Sequence, residues 1–174
     1  RADGYHDIES LFVPLPLTDA LEVVIDPELG TNQLEYDRSG LPVPGPLEAD
    51  LCYKAVRLLQ QRGDLPGLRI HLHKVIPMGA GLGGGSSDGT ATLRTVNTVC
   101  SLGLEPEELH ALALQLGSDC PFFLQQGACI VRGRGERITP MALDLRGIWL
   151  VLLNPGIHVS TSEVYRHCEP TGTS

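Results

Sequence analysis

The glycine-rich stretch over residues 77–89 is the part of the sequence best suited to chemistry. It reads PMGAGLGGGSSDG and has six glycines in thirteen positions. Glycine allows unusual backbone angles and close approach of a ligand, so successive N–H groups can converge on an anion. A helix predicted to begin near Ser87 directs its positive N-terminal end to the same place. The stretch therefore predicts a phosphate site, with hydroxyls from Ser86 and Ser87 available to the anion.

Two well-known phosphate motifs fit this stretch poorly. Gly79, Gly81 and Gly84 satisfy G-x-G-x-x-G, but that fingerprint follows a continuous apolar strand and precedes a second strand that ends in an acid. Here the preceding segment alternates, and the next helix leads into another helix start. A Walker loop requires Gly-Lys-Ser/Thr, which the stretch lacks. The alternative that stays open is a Gly-rich connection whose serines cap the helix.

Other candidate residues are ambiguous when they are read alone. Asp119 in GSDCP follows a helix-ending glycine, so its carboxylate lies on a turn and serves either as a cap or as a base. His71 and His73 share one face of a strand, and without a third metal ligand we interpret them as surface residues. Isolated tyrosines such as Tyr5 and Tyr165 are usually half-buried packing residues.

Periodicity predicts the elements that hold these residues. Alternation of Leu68, Ile70 and Leu72 indicates a strand over residues 68–76 with one buried face. Glycine and proline predict a loop over residues 27–46. Apolar spacing and end signals predict helices over residues 49–61, 88–100 and 105–117. Strands are expected over residues 21–26, 128–133 and 147–155, so the fold class is α+β.

Composition narrows the function classes. The 174 residues carry a net charge of −8 with only two lysines, so neither nucleic acid nor an anionic membrane is an expected partner. The N-terminus is unlike a signal peptide and no apolar run is long enough to cross a bilayer, which predicts a cytoplasmic protein. Five scattered cysteines without a C-x-x-C pair indicate reduced, mostly buried thiols.

Four segments together resemble the galactokinase, homoserine kinase, mevalonate kinase and phosphomevalonate kinase (GHMP) superfamily. They are RADGYH, PMGAGLGGGSS, LGSDCPFF and NPGIHVSTSEVY, and they span nearly the whole chain. The resemblance implies a fold like domain 2 of ribosomal protein S5. It also implies that residues 1–154 form the ATP-binding N-terminal domain and that residues 155–174 begin the connection to a C-terminal domain.

The resemblance implies an ATP- and Mg²⁺-dependent kinase. The similar kinases phosphorylate a hydroxyl of a cytidylyl methylerythritol alcohol in non-mevalonate isoprenoid synthesis. By this likeness Asp119 is the catalytic base, and Tyr5, His6 and Tyr165 bind the cytidine end of the substrate. The residues implied to bind the ATP phosphates are Pro77, Gly79, Gly81, Leu82, Gly83, Gly84, Gly85, Ser86 and Ser87.

The match to the superfamily has departures. Similar kinases often have Asn at the position of Asp88 and Ala at that of Gly89. The difference at Asp88 puts a metal-binding role of this residue in doubt, so we assign no metal ligand. They also carry a lysine upstream of DGYH that partners the catalytic aspartate, and a further C-terminal domain. We therefore expect the chain to be a fragment that is inactive alone. A silent nucleotide-binding module and a sibling kinase with another alcohol substrate remain alternatives, and the oligomeric state is not predicted.

Overall fold

The computed structural model describes residues 7–156, together with Val164 and His167. It confirms the α+β class. The strands are β1 (Ile8–Phe12), β2 (Ala20–Ile25), β3 (Leu34–Gly40), β4 (Leu68–Lys74), β5 (Cys129–Gly133) and β6 (Arg137–Pro140). The helices are α1 (Leu51–Gln60), α2 (Gly84–Val99) and α3 (Pro106–Leu116), with 3₁₀ turns at Leu47–Ala49 and Cys120–Leu124.

Strand β4 is the centre of the first sheet. It pairs antiparallel with β2 and parallel with β3, which gives the order β2-β4-β3. The predicted alternation is confirmed, because Leu68, Ile70 and Leu72 are buried on the face that the helices cover. Position 74 continues this inward series, so a lysine enters the core at the end of the strand.

Local signals begin α1 and bound α3 at both ends. The Asp50 side chain caps α1 by accepting a hydrogen bond from the Cys52 N–H at 2.9 Å. In α3 the Glu108 side chain accepts from the Glu105 N–H at 3.2 Å, and Gly117 ends the helix as predicted. Buried residues of α1, α2 and α3 then form one core with β4.

The second sheet consists of β1, β5 and β6. Its order is β1-β5-β6, with both pairs antiparallel. Val131 and Cys129 on β5 pack with Phe122 of the 3₁₀ turn in a separate small core. This packing holds the segment that contains Asp119 against the sheet.

One loop prediction and one strand prediction were wrong. The loop predicted over residues 27–46 contains β3, which forms because β4 offers it a parallel partner far along the chain. The strand predicted over residues 147–155 is irregular, and Trp149 is 93% exposed. In the described part of the chain this apolar run pairs with no strand, so its backbone lacks the partner that a strand requires. Strands β1 and β6 were not predicted.

The described cysteines are free thiols, as the sequence predicted. Cys52, Cys120 and Cys129 are buried free thiols and Cys100 is partly exposed, while Cys168 lies outside the described residues. Over residues 7–156, Val164 and His167, none of the helices combines the length and apolar character needed to cross a membrane.

Candidate active site

A cleft of about 1280 Å³ lies between the two sheets and runs along the glycine stretch. One wall is apolar and comes from the segment that joins β1 to β2, including Val13 and Leu15. The other walls come from the stretch itself, from the segment around Asp119 and from the β5–β6 turn. The predicted phosphate residues that line the cleft are Pro77, Gly79, Gly81, Leu82, Gly83, Gly84, Gly85, Ser86 and Ser87.

The glycine stretch turns sharply into helix α2. Gly79, Gly81 and Gly83 all have left-handed backbone angles, with φ of 67°, 72° and 66°. A side chain at these positions would strain the backbone. The helix begins at Gly84, earlier than the predicted start near Ser87. The serines therefore lie inside the first turn, and the alternative in which they cap the helix is not what the structure shows.

The N-terminus of α2 is left open. Gly83 occupies the cap position with no side chain to accept a hydrogen bond, and the first turn has no acidic residue. The first intrahelical bond that the turn makes is from Ser87 N–H to the Gly83 carbonyl, at 2.9 Å. The N–H groups before it have no partner within the helix. In contrast to α1 and α3, this helix presents its N–H groups and its dipole to the cleft, which is the arrangement that binds anions.

Close packing explains why two of the glycines have no side chain. A Cβ on Gly83 would lie 2.8 Å from the Phe123 ring. A Cβ on Gly84 would lie 2.9 Å from the Ile76 side chain and 3.0 Å from Lys74 Nζ. Gly85 differs, because its nearest neighbour would be the end of the Met78 side chain at 3.9 Å. The fold itself therefore excludes a side chain at Gly83 and Gly84 but not at Gly85.

Asp119 faces the first turn of α2 across the cleft. Its Oδ1 accepts a hydrogen bond from Ser86 Oγ at 2.9 Å, and its Oδ2 lies 3.7 Å from the position that a Gly83 Cβ would occupy. The residue precedes the 3₁₀ turn without its side chain capping it. The carboxylate is thus beside the open helix N-terminus.

A buried charged triad below the loop was missed by the sequence analysis. Lys74 is 1% exposed and its Nζ bonds to Asp19 and, at 2.7 Å, to Asp88 Oδ2. Asp19 Oδ1 also accepts the N–H groups of Val75 at 2.5 Å and Ile76 at 2.8 Å. The signal in the sequence was the inward position of residue 74 in the alternation of β4, since a buried lysine requires acidic partners.

The two carboxyl groups of the triad have opposite pKa shifts. Burial raises the pKa of Asp88 to about 7, although Lys74 opposes this shift. For Asp19 burial also acts to raise the pKa, but the Lys74 bond and the two backbone N–H groups outweigh it and the pKa is lowered. The pKa of Lys74 is raised because its two carboxylate partners outweigh its burial. Asp88 is therefore the member that holds a proton near neutral pH.

The two histidines of β4 form a satisfied surface network. Ser39 Oγ lies 2.8 Å from His71 Nε2 and 2.9 Å from His73 Nδ1, and Asp37 lies 3.4 Å from His71 Nδ1. Among the described residues no group of three or more His, Cys, Asp or Glu side chains is arranged to hold a metal ion. These contacts agree with the interpretation of both histidines as surface strand residues.

The predicted substrate residues Tyr5, His6 and Tyr165 lie outside the described residues. Their role in binding cytidine stays a prediction.

Residues 50–127 match the family model described as the GHMP kinases N terminal domain. The chain is 42% identical over 170 residues to 4-diphosphocytidyl-2-C-methyl-D-erythritol kinase of Parabacteroides distasonis, which covers 98% of the chain and 61% of the relative. The kinase of the same name from Azobacteroides pseudotrichonymphae is 46% identical over 165 residues, covering 95% and 60%. That of Moorella thermoacetica is 44% identical over 167 residues, covering 95% and 56%. The chain thus spans about 60% of the length of these curated relatives.

Two solved structures share the fold. A crystal structure of 4-(cytidine 5'-diphospho)-2C-methyl-D-erythritol kinase superposes with a TM-score of 0.66 at 39% identity, over 83% of this chain and 49% of that one. Homoserine kinase from Cytophaga hutchinsonii superposes with a TM-score of 0.55 at 21% identity, over 70% and 41%, and supports the fold alone. The resemblance seen in the sequence is confirmed: residues 50–127 match the N-terminal domain of the GHMP kinases, and the solved structure at 39% identity shares the fold.

Proposed function

We propose that the chain is the ATP-binding part of a kinase that phosphorylates a hydroxyl of 4-diphosphocytidyl-2-C-methyl-D-erythritol. The observation that carries the ATP site is the open N-terminus of α2, whose first turn faces the cleft without a side-chain cap. Relatives of this name match nearly all of the chain at 38–46% identity, which supports the choice of substrate. The role in non-mevalonate isoprenoid synthesis rests on the resemblance, the cytoplasmic location rests on the N-terminus and the lack of a long apolar run, and both stay predictions.

The cleft fits two substrates. Its volume of about 1280 Å³ exceeds the roughly 300–1,000 Å³ that is usual for a single small ligand. The N–H groups of the first turn of α2 bind the ATP phosphates, and the bare backbone at Gly85 leaves room for them. The apolar wall that contains Val13 and Leu15 is suited to the flat faces of a base.

Asp119 acts on the acceptor hydroxyl. The hydroxyl oxygen attacks the γ-phosphorus of ATP, the bond to the β,γ-bridging oxygen breaks, and ADP leaves. The Asp119 carboxylate orients the hydroxyl and takes its proton, and the bond from Ser86 fixes the carboxylate beside the loop. Because phosphoryl transfer depends mainly on positioning and charge neutralisation, this placement is the essential contribution of Asp119.

Mg²⁺ enters as part of the ATP substrate complex. Bound to the phosphates, it neutralises the charge that develops on them. We assign it no protein ligand. Binding of the phosphates rests on the backbone N–H groups of α2.

Replacement of Asp119 by asparagine tests this function. The experiment uses protein expressed from the complete reading frame and measures ADP release with ATP, Mg²⁺ and the cytidylyl alcohol. Asparagine cannot take the proton of the hydroxyl, so we expect the rate to fall by about 10²–10⁴-fold. Its side chain still accepts the Ser86 bond, so nucleotide affinity should be kept. The matched control is Asp144→Asn, which removes an exposed carboxylate that pairs with nearby Arg146 and should leave the rate unchanged. An unchanged rate in the Asp119 variant would refute the base assignment.

The same assay separates the alternatives. A silent nucleotide-binding module would bind ATP and release no ADP with any alcohol. A sibling kinase would turn over another small alcohol, and free cytidine nucleotides would not compete with that substrate.

A further inference from the structure

The triad of Asp19, Lys74 and Asp88 lies directly beneath the proposed phosphate site. Lys74 Nζ is 3.0 Å from the position that a Gly84 Cβ would take, and Gly84 is the first residue of α2. Asp88 lies one helical turn further along the same helix. All three side chains are buried, so water screens their charges from the first turn only weakly.

The charges of the triad do not balance when all three groups are ionised. One ammonium then faces two carboxylates, which leaves one buried negative charge. This charge would repel an anion bound one turn away, at the open N-terminus of α2. A single proton on one carboxyl group makes the triad neutral and removes the repulsion.

The contacts decide which carboxyl group takes the proton. Asp19 is held as an anion by Lys74 and by two backbone N–H groups at 2.5 and 2.8 Å. The Asp88 carboxylate accepts a bond from Lys74 at 2.7 Å and also lies beside the Asp19 carboxylate, whose negative charge favours a proton on Asp88. The Asp88 side chain is also buried, and burial penalises its charge.

The other groups around Asp88 do not supply this proton. From α1 the Cys52 thiol faces it, and burial raises the pKa of that thiol to about 12, so it stays neutral. Asp50, at the start of α1, is engaged by Arg38 at 3.2 Å. On the side of the 3₁₀ turn Asp119 bonds to Ser86, in the preceding turn of α2.

We propose that Asp88 takes up a proton when the loop binds the phosphate groups of a nucleotide, and that it acts as a positioning residue through Lys74. The inference rests on the proposed ATP site and adds a residue that does not touch the ligand. The bound phosphate and the proton on Asp88 favour each other, because the repulsion between phosphate and carboxylate disappears when the carboxyl group is neutral. Nucleotide affinity therefore falls as the pH rises through the titration of Asp88. Each unit by which the bound phosphate raises the pKa of Asp88 corresponds to about a tenfold change in affinity.

The test is calorimetric titration of ADP with Mg²⁺ into protein from the complete reading frame. Measurements at pH 7.5 in two buffers with different protonation enthalpies give the number of protons taken up per ADP. We expect about half a proton more for the unmodified protein than for Asp88→Asn, and at most about three quarters, because Asp88 is already partly protonated at this pH. The variant is matched in size and still accepts a bond from Lys74, and the titration of ADP itself cancels in the difference. Above pH 8 the variant should bind ADP more tightly than the unmodified protein.

A second variant and a spectroscopic signal keep the test independent of one substitution. Asp19→Asn removes the negative charge that competes with Asp88 for Lys74. Asp88 should therefore ionise at lower pH, and proton uptake at pH 7.5 should decrease. In the unmodified protein, the infrared difference spectrum on ADP binding should gain the carbonyl band of a protonated carboxylic acid. Asp88→Asn should lack this band.

The outcomes separate the inference from the proposed function. ADP binding with equal proton uptake in the unmodified protein and in Asp88→Asn would overturn the inference and leave the ATP site standing. Absence of ADP binding would overturn the ATP site, and this inference with it. A purely structural role of Asp88 would change stability without changing the proton count.

Discussion

Replacing Gly85 by alanine separates the needs of a ligand from the needs of the fold. Gly85 is the second residue of α2, and a Cβ there would have 3.9 Å to the nearest atom, at the end of the Met78 side chain. Alanine in a helix is favoured over glycine by roughly 0.5–1 kcal/mol. The unliganded protein should therefore become slightly more stable.

The effect on ATP should have the opposite sign. The Cβ of a helical residue tilts toward the helix N-terminus, which is where the phosphates are proposed to bind. A methyl group at residue 85 would keep the anion away from the N–H groups. We expect the Kd for ATP to rise by about tenfold or more, which corresponds to about 1.4 kcal/mol.

Gly84→Ala is the matched comparison one residue earlier. Its methyl group would meet Ile76 at 2.9 Å and Lys74 Nζ at 3.0 Å, and overpacking of this kind costs about 1–3 kcal/mol. This variant should lose stability as well as affinity. Urea unfolding followed by circular dichroism gives the stability of each variant, and calorimetric titration gives the ATP affinity.

Two results would refute this reasoning. If Gly85→Ala is more stable and binds ATP as tightly as the unmodified protein, the first turn of α2 does not hold the phosphates. If it is destabilised as much as Gly84→Ala, the assignment of open space beside Gly85 is wrong.

Three further predictions concern the buried polar groups. Because the folded pKa of Asp88 is about 7 against an ordinary 3.8, its contribution to stability is complete below 3.8 and is lost as the pH rises through 7. The free energy of unfolding should therefore fall by roughly 2 kcal/mol between pH 5 and pH 8. Urea unfolding at pH 5 and pH 8 should show this loss in the unmodified protein and not in Asp88→Asn, and equal pH dependence in both would contradict it. Asp19→Ala removes a partner of Lys74 and the acceptor of two backbone N–H groups, so denaturation should show a loss of about 3–5 kcal/mol, against little change for the exposed control Asp144→Ala. Thiol labelling of the native protein followed by mass spectrometry should modify the partly exposed Cys100 before Cys52, whose pKa burial raises to about 12; the reverse order would contradict the burial.

Local signals were sufficient for the elements whose causes lie within a few residues. The alternation of Leu68, Ile70 and Leu72 predicts β4 because successive side chains of a strand face opposite sides. Pro106 and Gly117 bound α3 because the ends of a helix require particular backbone groups. The glycine stretch likewise indicates an anion site, although its helix begins at Gly84 rather than near Ser87.

Pairings between distant segments were decided by the tertiary structure. Strand β3 lies in a region that is rich in glycine and proline, and it exists because β4 supplies hydrogen bonds along its parallel edge. The apolar run over residues 147–155 has strong strand propensity, yet among the described residues it pairs with no strand. Strand propensity becomes a strand only where a partner completes the backbone hydrogen bonds.

The sequence by itself determined the fold class, the family resemblance and the place of the glycine loop, because these depend on local periodicity and on contiguous motifs. The tertiary structure alone placed Asp119 against Ser86, which is 33 residues away, and joined Lys74 to Asp19, which is 55 residues away. It also buried Asp88 beside the same lysine. The charge state of Asp88 follows from that burial, because a carboxyl group removed from water is stabilised only by the partners that the fold brings to it.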